Sequence, residues 1–564
     1  MRRSLAALLL LSCVVVSCVA QTAAQTEVDP TLLLERLFAQ QRWSEVVRLA
    51  EPVTPRSADI DFYYASALAQ LGRWDEARNA FEAGRHRQPR DKRFPIELAG
   101  VEFKQNHYAQ AAGWLHIALR IDPTDAYAND FLGTIYFLQD NIEAALKYWN
   151  RSGKPEIYRV STEPEPRLKP ALLDRAFAFS PASILHEQDL PITEARLNGL
   201  QMFSSHVLAL KAREDGQFDV VLRAHERNGW GDTKWQGLAS SLRGVFYQTI
   251  YPEFFNLNHS AINLESQIRW DAQKRRALVS LSGPYRQNPK WRYQLSADFR
   301  NENWDVRDSA LGSTPFLAAL NLRKQAATVG ITCFPGGRWS WSNEVEFSHR
   351  DYRDVSNGSA LGADLLLQGY QAKNISRISY GLLRVPEHRF EINTSASSQA
   401  GRIWSNPAYS FAKLQGSVEA HWFPQSSGED YEMREQVRVG TTFGSTPFDE
   451  LFMLSLERDN DLWLRGHVGT HDGRKGYAPL GRDYFLSNWE TDKKVYSNGL
   501  VTLKLGPFLD VGRITGPSPD LGSQKWLYDT GVQTKVRLLG VNIAFIYGKD
   551  LRSGNNLFYV TAGR

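Results

Sequence analysis

From about residue 235 the chain alternates apolar and polar residues in short segments, and this period of two excludes most folds. In KWRYQLSADFR, Trp291, Tyr293, Leu295, Ala297 and Phe299 share one parity, while Arg292, Gln294, Ser296, Asp298 and Arg300 share the other. Successive side chains of a strand point to opposite faces, so one face is apolar and the other wants water. RWSWSNEVEF sets Trp339, Trp341, Val345 and Phe347 against Ser340, Ser342, Glu344 and Glu346, and VNIAFIYG places Val541, Ile543, Phe545 and Tyr547 together. A soluble sandwich also alternates, with its apolar face inside. An aromatic content of 12% and the persistence of such strands over residues 235–564 favour a C-terminal antiparallel transmembrane β-barrel of about 16 strands. No long apolar helix is needed, because each strand has only one apolar face.

The amino terminus supports export. Arg2 and Arg3 precede an apolar run from Leu5 to Val16, and Cys18-Val19-Ala20 forms a small-residue cleavage site, so residues 1–20 read as a signal peptide. The stretches ending at Cys13 and Cys18 also resemble lipoprotein boxes, in which the cysteine is lipidated. Simple cleavage leaves Cys333 as the remaining cysteine, and no intramolecular disulfide can form. With 66 Lys and Arg against 62 Asp and Glu, no charge excess calls for nucleic acid.

Between residues 30 and 155 the period changes to 34. Ala77, Ala111 and Ala145 keep that interval, as do Ala65, Ala99 and Gly133, and Phe81, Leu115 and Trp149. Trp74, Tyr108 and Ile142 lie three residues before the first set, and Pro89 and Pro123 close two units. This register resembles the tetratricopeptide repeat, an all-α solenoid in which small residues let paired helices approach and larger ones fill the space between units. Such a surface implies a partner protein or a polypeptide substrate.

The proline-rich KPEIYRVSTEPEPRLKP reads as a linker. A small α/β module is expected over residues 165–230: AFAFS as a strand, a helical stretch with Leu197, Leu200 and Phe203 on one face, then two strands joined at Asp215-Gly216. This order looks like one divergent polypeptide-transport-associated (POTRA) domain. The other reading is a generic α/β connector.

GPFLDVGR poses the sharpest question, because a charge interrupts an apolar strand. Leu503, Leu505, Leu509 and Val511 fall on the lipid parity, while Lys504, Gly506, Phe508, Asp510 and Gly512 fall on the lumen parity. An inward carboxylate still needs a partner. Upstream, Leu464, Arg465, Gly466 and His467 lie in a loop-rich stretch. This tetrad followed by Phe508, Asp510 and Gly512 in F-x-D-x-G resembles the BamA/TamA superfamily, also called the bacterial surface antigen family. His467 stands where that family places Tyr or Phe. The resemblance implies a loop folded into the barrel with Arg465 on Asp510, an outer-membrane location, periplasmic repeats, and the translocation or insertion of polypeptides. Two other classes compete: an exopolysaccharide-export conduit with repeats, and a scaffold that the barrel merely anchors.

No catalytic or metal constellation is read from the residues, and no cofactor is expected. His186-Glu187 lacks a second histidine at zinc-helix spacing, GTHDGRKG lacks the form of a phosphate loop, and no G-x-S-x-G elbow occurs.

Overall fold

The computed structural model describes residues 30–564 apart from 228, 231–243, 246, 311–313, 358–360, 426–427, 499–500, 519, 524, 539–540 and 564. The expected leader, with Cys13 and Cys18, lies outside the described residues. The chain divides into two compact units, 1–135 and 136–564, with the boundary inside the helix Ala126–Leu138.

The first unit is built from helical hairpins. Pro30–Ala39 and Trp43–Ala50 form the first; Ala58–Gln70 with Trp74–Arg87, and Arg93–Lys104 with Tyr108–Ile121, form the next two. Ala65, Ala77, Ala99 and Ala111 are all fully buried. Close approach is literal at Gly84, where an added Cβ would lie 2.2 Å from a ring carbon of Phe94. The turns repeat as well as the helices. Gly72, Asn106 and Asp140, spaced by 34, each take the left-handed backbone conformation (φ +75°, 62° and 55°) that Gly, Asn and Asp tolerate best.

The second unit opens on the helix Ile142–Trp149, which seats on a turn of the barrel at Pro386–His388. Lys147 and Tyr148 both reach the Glu387 carboxylate, at 2.6 and 2.8 Å, and the Asn141 amide donates to the Pro386 carbonyl. Beside them Glu143 pairs with Arg384 at 2.6 Å. Burial lifts the Glu143 carboxyl to about 7; Arg384 opposes that shift, and the negative charges of Glu194 and Glu187 add to it.

A three-stranded sheet follows, in which Phe218–Glu226 pairs in parallel with Ile157–Glu163 on one side and antiparallel with Phe203–Ala212 on the other. This corrects three expectations. Residues 176–180 are not a strand: they are the end of the helix Pro170–Ala176 and an irregular segment. The missing strand comes from the stretch read as a linker, because Pro155 and Pro164 bracket IYRVSTE without interrupting it. Phe203 begins a strand, since the helix Asp189–Leu200 ends at Gln201 with φ 51°. Leu172, Leu197, Leu200 and Leu222 form the module's core. Arg292 of the barrel donates to the carbonyls of Gly199 and Leu200 at 2.8 and 3.1 Å, completing the helix's last turn.

The remainder is one antiparallel meander that curls into a barrel, its last strand returning beside its first. Of the eighteen segments in this sheet, Thr470–His471 and Arg474–Lys475 form a loop hairpin, and Thr249–Ile250 and Glu253–Leu257 pair with the same neighbour. Fifteen wall strands therefore stand among the described residues. Where the ends meet, the Tyr247 hydroxyl donates to the Val560 carbonyl at 2.7 Å. The two parities separate as the sequence requires: Leu295, Phe299, Phe347, Leu505 and Leu509 face outward, while Arg292, Phe508 and Asp510 are buried within. The outward belt includes Tyr370 at 68% exposure and Val329 and Phe347 at 59% each. Large apolar side chains so exposed, around a wall lined inside by charge, suit lipid.

Candidate functional site

The 38 residues between the strands Tyr431–Gly444 and Asp483–Ser497 fold back into the lumen. Ion pairs tie this loop to the wall at three stations. At its start, Asp449 receives Arg350 at 2.8 Å and Glu450 receives Lys373 at 2.9 Å. Midway, Asp459 receives Arg269 at 2.7 Å and Arg276 at 3.2 Å, and Lys475 reaches Glu302 at 3.2 Å. The third station is the LRGH tetrad.

Arg465 makes the densest contact. Its Nη2 donates to Asp510 Oδ1 at 2.6 Å, its Nε to Oδ2 at 2.9 Å, and its backbone N–H to Oδ2 at 2.9 Å. The planar fork of a guanidinium matches a carboxylate in this way. Nη1 divides between Glu490 at 3.0 Å and Gln533 at 2.9 Å, and the guanidinium lies 4.0 Å from the centre of the Phe508 ring. Asn488 donates to Asp510 at 2.7 Å from the neighbouring strand. The arginine's fork and the aspartate are thus satisfied inside the barrel, where an unpaired charge would be costly.

The other tetrad members fix the approach. Leu464 is fully buried among Leu454, Leu486 and Ile514. A Cβ on Gly512 would lie 3.1 and 3.2 Å from methyl carbons of Leu454 and Leu464, and one on Gly466 would lie 2.6 Å from the Asp529 carboxylate. Gly466 donates its N–H to Asp529 Oδ2. His467 faces Asp529 through Nδ1 at 3.1 Å and Asp550 through Nε2 at 3.8 Å.

The structure therefore brings together all seven residues named from the sequence and adds others. Asn488, Asp510, Asp529 and Asp550 are successive cross-strand partners, forming one inward row over four strands. Asp529, Asp550, Glu490 and Gln533 were missed, although each lies on the inward parity of its own strand. His467, Asp529 and Asp550 have ligand atoms within 4.8 Å of one another. Because each imidazole nitrogen addresses a different carboxylate, the ring bridges the two acids and does not offer one open coordination point.

Comparison with known proteins adds the following. The tetratricopeptide repeat model matches residues 39–92 and 65–126. No curated protein matches the sequence. Among solved structures, the chain is similar to BamA from Haemophilus ducreyi lacking POTRA domains 1–3, at 11% identity and TM-score 0.42, covering 72% of this chain and 84% of that one. It is also similar to CdiB from Escherichia coli (12% identity, TM-score 0.45, 73% and 75% covered) and to CdiB from Acinetobacter baumannii (11%, 0.41, 82% and 86%). In architecture the chain joins tetratricopeptide repeats to an antiparallel β-barrel.

Proposed function

We propose that this chain is an outer-membrane protein that inserts or translocates polypeptide substrates, with periplasmic helical repeats that recruit a substrate or a partner. The observation that carries this reading is the Arg465–Asp510 clasp, in a loop held to the wall at three separate ionic stations. A passive conduit does not require a segment pinned across its lumen at three ionic stations. A barrel that must admit a polypeptide and reseal benefits from a plug whose position is set by discrete, exchangeable ion pairs. In this reading the α/β module corresponds to a POTRA domain between the repeats and the barrel.

The test is comparative proteomics of the outer membrane with and without the protein. Loss of a defined set of surface or secreted proteins is expected. Loss of surface carbohydrate with an unchanged set of proteins would overturn the reading in favour of a conduit.

A further inference from the structure

On the outer face of the wall, Arg275, Asn301 and Arg323 are direct cross-strand neighbours on the strands Lys274–Pro284, Trp291–Val306 and Ala318–Cys333. They share the parity of Val279, Phe299 and Val329, which are exposed on the apolar belt, so the row points away from the lumen. Both arginines are exposed, and neither has an ion-pair or hydrogen-bond partner among the described residues. Asn301 is oriented between them. Its carbonyl oxygen accepts from the Asn321 amide at 2.6 Å, which leaves its own NH2 group as the free end.

The carboxylates nearby do not take up these arginines. Asp351, directly across from Arg323, pairs with Arg353; Asp305 accepts from the Tyr477 hydroxyl at 2.6 Å and from Arg307 at 3.2 Å; Asp271, on the adjoining turn, accepts the backbone N–H groups of Gln273 and Lys274. The depth of the row is also readable. Trp291 opens its strand beside the α/β module, where Arg292 reaches the Gly199 carbonyl, and Asn301 lies ten residues further on. Ten residues of strand rise about 33 Å, or about 25 Å across the membrane at a tilt of about 40°. That equals the height of the apolar band of an outer-membrane barrel, about 25 Å, so the row stands at the band's far edge.

We propose that Arg275, Asn301 and Arg323 hold the phosphate of an anionic lipid in the outer leaflet; the proposal rests on the outer-membrane reading above. A phosphate presents several acceptor oxygens, a guanidinium fork meets them two at a time, and the amide adds a further donor. Adjacent strands lie about 4.8 Å apart, so the arginines rise about 10 Å from each other and can close over Asn301 on one headgroup. A lone arginine at this level would only reach up into water. Two unpaired ones flanking an amide whose acceptor is occupied make a row of donors alone. Below it, Phe299, Leu295, Val279 and Val329 are exposed and apolar, which gives the acyl chains of the same lipid a surface to lie on.

The test uses the full-length protein in non-ionic detergent and fluorescent lipid A, a phosphorylated glycolipid, followed by anisotropy. Competitors are unlabelled lipid A, lipid A stripped of its phosphates, phosphatidylcholine and inorganic phosphate. Intact lipid A is expected to compete at least about tenfold more strongly than the stripped form or phosphatidylcholine, with a preference that shrinks as salt rises. Inorganic phosphate at the same concentration is expected to displace none. The double variant Arg275→Gln, Arg323→Gln should lose about tenfold or more in affinity and each single variant about threefold. Arg402→Gln, at an exposed arginine paired across strands with Ala372 and Ser410, should bind as wild type. A heat-modifiable gel shift checks folding, and the single variants decide if the double variant is unfolded. Wild-type affinity in every folded Arg275 and Arg323 variant, or equal competition by the stripped lipid, overturns the site. Displacement by inorganic phosphate as strong as by lipid A overturns the lipid assignment. If the preference is absent from a protein that still enters liposomes, the site alone falls; a protein that stays in water without detergent sinks the outer-membrane reading and the site with it.

Discussion

Asp510 and Asp529 stand directly opposite each other on neighbouring strands of the barrel wall, and neither is exposed to solvent. Two like charges so placed repel. The loop resolves the conflict from the lumen: Arg465 covers the first carboxylate, and Gly466 N–H with His467 covers the second. The loop tip is thus a counter-ion to the wall, and the wall holds the loop.

Removing the guanidinium leaves Asp510 buried and uncompensated beside Asp529. Arg465→Ala should destabilise the barrel by about 3–5 kcal/mol, read as a lower urea midpoint for the heat-modifiable gel shift. It should also change single-channel conductance in planar bilayers. Adding Asp510→Asn to this variant should recover part of the loss. An unchanged midpoint and conductance in Arg465→Ala would sink the clasp.

Gly466→Ala is a smaller change with a specific geometric target. The new Cβ would sit 2.6 Å from the Asp529 carboxylate carbon, so the tetrad must retreat and Arg465 must lengthen its bonds. A loss of about 1–3 kcal/mol is expected from this overpacking, whereas Gly416→Ala on a wall strand, where the nearest atom to the added Cβ would lie 3.8 Å away, should lose less. Equal stability of Gly466→Ala and wild type would show that the loop is not held as described.

His467→Phe tests the bridge to Asp529 and Asp550. The substitution keeps an aromatic ring and removes both polar contacts, leaving a buried carboxylate short of a donor, so a loss of about 1–3 kcal/mol is expected. Adding Asp529→Asn should narrow that loss. If His467→Phe were as stable as wild type, packing alone would account for the ring.

The seat of the helix Ile142–Trp149 carries a pH dependence. The Glu143 carboxyl is raised to about 7 in the folded protein, above its unfolded value, so the folded state binds the proton more tightly. The resulting stabilisation is full below the unfolded pKa and is lost as pH rises through about 7. Hydrogen exchange of this helix, corrected for the intrinsic pH effect, should therefore be slower at pH 5.5 than at pH 8. Glu143→Gln should flatten the difference, and a helix equally protected at both values in wild type would refute the assignment.

Local periodicity made much of the fold legible. The 34-residue interval places small residues wherever paired helices touch, so Ala77 and Ala111 are readable as core. Alternation places Asp510 inward because a strand's faces exchange every residue. Two local signals misled: Pro155 and Pro164 made IYRVSTE look like a linker although they only delimit a strand, and the alternation of AFAFS looked like a strand where the chain is a helix end and an irregular segment.

The sequence by itself determined which face each wall residue takes, and it marked Arg465 and Asp510 as candidates through their motifs. Only the tertiary structure decided that Asn488, Asp510, Asp529 and Asp550 form one row, that Glu490 and Gln533 share the arginine, and that Asp449 and Asp459 anchor the same loop. The physical reason is register. Parity is set within a strand, whereas which residues meet across strands depends on how each hairpin is staggered and how the meander curls. No local pattern encodes those choices.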